Sequence, residues 1–98
     1  MSVVIIGGNE RMIRDYKELC EKYNCHAKVF VDFNAALRKN IGSPDLLVLF
    51  TGTASHKMIK CALSSTKCER TIIKKSNISS ICALKNILED NALKVMEK

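Results

Sequence analysis

Val3-Val4-Ile5-Ile6-Gly7-Gly8 is the stretch from which the fold can be read. Its four consecutive β-branched residues leave no polar side, so the strand they form is buried on both faces. The paired glycines close it and permit a tight turn. Directly after them, Met12, Ile13, Tyr16, Leu19, Cys20 and Tyr23 recur at helical spacing. Asn9 is a fitting cap and Glu10 suits the first turn. A two-faced strand that runs straight into an amphipathic helix is the opening of a β-α-β unit, and such units imply parallel pairing.

The same alternation continues outward. Asn24 stops the first helix, and residues 27–32 read as a second strand. Residues 33–41 read as a short helix, with Asn34 as its cap and Ala35, Leu37 and Ile41 facing inward. Gly42-Ser43-Pro44 breaks the chain. Leu46-Leu47-Val48-Leu49-Phe50 is apolar throughout and therefore a central strand. A helix over 56–64 follows, with Met58, Ile59, Ala62 and Leu63 inward. Residues 70–74 read as a fourth strand, whose charged ends place it toward an edge. Ser76-Asn77-Ile78-Ser79-Ser80 opens the last helix, with Ile81, Leu84, Ile87 and Leu88 inward. The tail from Asp90 either extends that helix or frays. The expected fold is α/β: one domain over residues 1–98, with a parallel four-stranded sheet in the order 2-1-3-4.

Composition narrows the function classes. Aromatic residues are only 5% and Trp is absent, so the core is aliphatic and base-stacking chemistry is scarce. No stretch is apolar for long enough to span a membrane, and the first ten residues lack a basic leader. The expected location is the cytoplasm. The five cysteines are odd in number and contain no CxxC pair, which speaks against a disulfide framework or a structural zinc site. They read as small apolar fillers. Of the formal charge of +6, residues 51–98 hold nine Lys/Arg against four Asp/Glu, with the excess between Lys57 and Lys75. Such a bias attracts nucleic acid, an acidic partner or an anionic ligand, or is simply a solvated surface.

In an open parallel sheet, ligands bind at the carboxyl ends of the strands where the strand order reverses. Three polar loops fall there: Gly7, Gly8, Asn9, Glu10 and Arg11 after strand 1; Thr51 to His56 after strand 3; and Ser76 to Ser80 after strand 4. Each leads to a helix N-terminus, where free N–H groups and the helix dipole favour an anion. The residues expected to bind are Gly7, Gly8, Asn9, Glu10, Arg11, Thr51, Ser55, His56, Ser76, Asn77 and Ser79. His56 is the most pointed of these, because a neutral imidazole at a helix start can hydrogen-bond a ligand, shuttle a proton or bind a metal. His26 lies at the opposite edge. The plainer reading is that Asn9, Thr53, Ser55 and Ser76 cap helices and the glycines only make a turn.

Strand-Gly-Gly at Ile6-Gly7-Gly8, the run from Thr51 to Ser55-His56, and Ser76-Asn77 with Ser79-Ser80 before the last helix together resemble the bacterial domain of unknown function 2325 family, over roughly residues 2–90. The resemblance implies a compact Rossmann-like three-layer sandwich. It supports the Ser-His position and supplies no substrate.

The functional expectation is a ligand-binding or sensing module for an anionic small molecule or nucleotide, working as a homodimer that covers exposed sheet edges. The alternative is a protein or nucleic-acid interaction module using residues 57–75. An enzyme pairing Glu10 with His56 ranks last, because no nucleophile, Walker A sequence or metal set is legible. The sequence names no cofactor.

Overall fold

The computed structural model describes residues 2–32, 41–42, 44–65 and 71–96, with side chains to residue 90. Four strands form one all-parallel sheet in the order β2-β1-β3-β4: β1 is Ser2–Ile6, β2 His26–Phe30, β3 Leu46–Phe50 and β4 Ile72–Ser76. A short 3-10 turn, Glu10–Met12, leads into α1, Ile13–Lys22. The two later helices are α2, His56–Ser65, and α3, Ile81–Met96. The tail thus extends the last helix as far as Met96.

Alternation along the two central strands divides the core. Val3, Ile5, Leu46, Val48 and Phe50 pack with Tyr16, Leu19 and Cys20 of α1 and with Leu84 and Leu88 of α3. On the opposite face, Val4, Ile6, Leu47 and Leu49 pack with Met58, Cys61 and Ala62 of α2 and with Ile41. Helices therefore cover both faces of the sheet. Both faces of β1 and β3 are buried, which is why their sequences are unbroken apolar runs.

α1 ends in a Schellman motif. Asn24 takes φ +58°, the Cys25 N–H reaches the Cys20 carbonyl at 2.8 Å and the Asn24 N–H reaches that of Glu21 at 3.0 Å. The motif sets Cys25 beside Cys20, and both thiols are buried. Cys61 is buried too and Cys82 is exposed.

Several boundaries differ from the sequence reading. β2 runs from His26 to Phe30, one residue earlier at its start and ending before Val31. β4 is displaced to Ile72–Ser76, because it takes its length from pairing with β3, from Leu46↔Ile72 to Phe50↔Ser76. Ser76 is therefore a strand residue, and α3 opens at Ile81 with the Ser80 hydroxyl accepting from the Ala83 N–H at 3.1 Å. In α2 the inward positions include Cys61, while Leu63 is 37% exposed. The helix expected over 33–41 lies outside the described residues apart from Ile41, which is buried.

Candidate functional site

All the βα loops of a parallel sheet emerge at one edge. Here the three polar ones are also bonded to one another. Gly7 donates its N–H to the Phe30 carbonyl at 2.8 Å, tying the end of β1 to the end of β2. Gly8 donates its N–H to Thr53 Oγ1 at 2.7 Å, across the β1/β3 switch point. Both glycines have positive φ, +92° and +93°. Both also lack room for a side chain. A Cβ on Gly7 would lie 2.9 Å from Ala54 Cβ, and one on Gly8 would lie 2.8 Å from the Tyr16 ring. The Gly-Gly pair is thus where loop 1 is pressed against the next loop and against its own helix.

The strand 3 and strand 4 loops are joined as closely. The Thr51 N–H donates to the Ser76 carbonyl at 2.9 Å. The Thr51 hydroxyl lies 3.3 Å from Asn77 Oδ1 and 3.4 Å from the Ser76 carbonyl. Gly52 sits against the Asn77 carbonyl, where an added Cβ would come within 2.2 Å of the oxygen. Ser76 folds its own loop, accepting from the Ile78 N–H at 3.3 Å and donating to the Ile78 carbonyl at 2.7 Å.

Tyr16 closes the circuit from below. It is fully buried, and its ring packs against Phe50 with centroids 5.6 Å apart. Its hydroxyl donates to the Ser79 carbonyl at 2.5 Å and accepts from the Asn9 N–H at 3.3 Å. One phenol therefore links the loop after β1 to the loop after β4.

Of the residues expected at the site, Gly7, Gly8, Asn9, Thr51, Ser76, Asn77 and Ser79 take part in this interlocked platform. Thr53 belongs to it as well, accepting from Gly8. Asn9 also caps the 3-10 turn by accepting from the Arg11 N–H at 2.9 Å. Ser55 caps α2 by accepting from the Met58 N–H at 3.2 Å. Thr53 and Ser76 cap no helix. His56 is the first residue of α2 and is exposed. The side chains of Glu10 and Arg11 take no part in the platform's hydrogen bonds among the described residues. They line an open hollow along α1 with Ile13, Arg14, Lys17 and Glu18. Among the described residues, no hydrogen bond joins Glu10 to His56 and no group of three or more His, Cys, Asp or Glu is placed to hold a metal ion. Every buried side-chain nitrogen or oxygen among them has a partner.

Tyr16, Gly52 and Ala54 are the participants that the sequence reading passed over. Tyr16 has the helical spacing of an ordinary core residue, so only the distant carbonyl it meets reveals its second task. Gly52 stands between two threonines at a turn, which was the available signal.

The profile of a family described as an uncharacterized protein conserved in bacteria, domain of unknown function 2325, matches residues 2–91. The chain belongs to this family. The match spans all four strands and every loop of the platform. No curated protein and no solved structure matches the chain. In this member of the domain of unknown function 2325 family, the three short motifs that carry the resemblance are the three loops that interlock.

Proposed function

We propose that this chain is a ligand-binding or sensing module that takes a small anion or a nucleotide at the carboxyl ends of β1, β3 and β4. The observation behind this reading is the bonded platform at the switch point, where Gly8 holds Thr53 and Thr51 holds the Ser76–Asn77 turn. A ligand surface gains affinity when its loops are fixed before binding, because ordering them afterwards subtracts from it. Here that ordering is already done by backbone and buried groups. The exposed tips Asn9, Thr53, Ser55, His56 and Asn77 carry side chains that can donate or accept hydrogen bonds. α2 and α3 both begin at this edge and direct the positive ends of their dipoles toward it.

In this reading His56 and Ser55 face the ligand, while Thr51, Ser76 and Ser79 hold the platform. The assignment is to binding rather than to catalysis, since Glu10 lies along α1 and forms no pair with His56. Thermal-shift measurements with inorganic phosphate, mono- and dinucleotides and dicarboxylates test it. At least one of these anions is expected to raise the melting temperature of the wild-type protein in a concentration-dependent way. His56→Ala is expected to keep the fold and reduce that rise. If no anion raises the melting temperature, or if His56→Ala responds as wild type does, the reading fails.

A further inference from the structure

β4 is the barest strand of the described sheet. It is outermost, paired with β3 on one side and with no described strand on the other. Its outward N–H and C=O groups form a row that another strand can join. Parallel register puts Ile72, Lys74 and Ser76 on the face shared with Leu46, Val48 and Phe50, and puts Ile73 and Lys75 on the face shared with Leu47 and Leu49. Those β3 side chains are fully buried, yet Ile72 and Ile73 are 37% and 42% exposed. Among the described residues, helical cover thus ends over β3 on both faces. Lys74 and Lys75 are exposed, and neither has an ion-pair partner among the described residues.

Lysines on an edge strand ordinarily guard it against indiscriminate pairing. Here they stand beside exposed isoleucines, one Ile-Lys pair on each face. That arrangement selects among occupants. Lys74 and Lys75 project to opposite faces, so they do not track one phosphate backbone, and β4 has no aromatic side chain on which a base would stack. A second copy paired antiparallel about Lys74 would set that lysine against its own equivalent, and like charges directly opposite destabilise a strand pair. A strand with carboxylates at these positions meets charge, apolar surface and backbone together.

We propose that the outer edge of β4 accepts an extended acidic segment of a partner protein as a fifth strand, with carboxylates opposite Lys74 and Lys75. This surface adjoins the loop platform at Ser76 but does not rest on the function assigned there.

The test uses two capped peptides that read the same in both directions, Thr-Val-Glu-Glu-Val-Thr and Thr-Val-Lys-Lys-Val-Thr, titrated into the isotope-labelled full chain and followed by NMR. The Glu peptide is expected to shift the amides of β4 and to bind about tenfold more tightly than the Lys peptide. Added salt is expected to weaken that binding. Lys74→Glu/Lys75→Glu is expected to reverse the preference, and Lys74→Gln/Lys75→Gln to abolish it should the reversed variant fold poorly. The proposal is overturned if the Glu peptide does not bind or the two peptides bind equally. It is also overturned if β4 amides respond to a single-stranded oligonucleotide instead, or to protein concentration alone through self-pairing.

Discussion

Removing one oxygen atom tests whether the loop platform is held from beneath. Tyr16→Phe deletes the hydroxyl that donates to the Ser79 carbonyl at 2.5 Å and accepts from the Asn9 N–H at 3.3 Å. The ring keeps its place beside Phe50, so no cavity opens. Each protein hydrogen bond contributes a net of roughly 0.5–1.5 kcal/mol. Asn9 is exposed and Ser79 half-buried, so water satisfies part of what is lost. The two bonds together therefore come to about 1–2 kcal/mol. In a domain of this length that lowers the melting temperature by about 5–10 °C. Urea unfolding followed by circular dichroism reads the loss as a lower midpoint at unchanged slope. Amide exchange locates it: Gly8, Asn9 and the residues around Ser79 lose protection, while β1 and β3 change only with global stability. A loss under about 0.5 kcal/mol, the size of an ordinary surface substitution, refutes the reasoning. So does a larger loss that leaves Gly8 and Asn9 exchanging as before.

Two further outcomes follow from the packing. Gly52→Ala places a Cβ 2.2 Å from the Asn77 carbonyl oxygen, so backbone must move, at about 1–3 kcal/mol by urea unfolding, with amide shifts at Asn77 and Ile78; an isostable variant with unmoved amides would show that the two loops are not in contact. Burial, with Cys25 beside it as the lesser cause, pushes the Cys20 thiol from 9.0 up to about 12. The unfolded thiol ionises first, so the folded state holds the extra proton between these values. Stability is then full below pH 9 and declines toward pH 12, by at most roughly 1.4 kcal/mol per pH unit from this group. Urea midpoints measured across that range should fall less steeply in Cys20→Ala; an identical slope in the two proteins contradicts the assignment.

Much of this molecule is legible in its sequence because the governing forces are local. Val3 to Ile6 and Leu46 to Phe50 admit no polar face, so both must be interior strands, and helices between them force parallel pairing. From these runs come the strand order, the central pair and the edge on which the polar loops lie. Asn24 as the helix stop and Asn9 as a cap are local choices too, and the structure has both. Other features depend on what a residue meets far along the chain. β4 lies two residues later than its charge pattern indicates, because ladder bonds to β3 decide its limits. Lys74 reads as the strand's end and Lys75 as lying beyond it, yet an edge that no described helix covers accommodates both inside the strand. Leu63 is turned outward because α2 meets the sheet through Met58, Cys61 and Ala62. The platform shows the division most clearly. The sequence by itself determined that Gly7-Gly8, Thr51 to Ser55 and Ser76 to Ser80 would share an edge. Only the tertiary structure decided that they lock together, through a tyrosine hydroxyl bonded 63 residues away and glycines pressed against neighbouring loops. Apolar periodicity is written residue by residue, whereas a hydrogen-bond partner is settled only when the chain closes on itself.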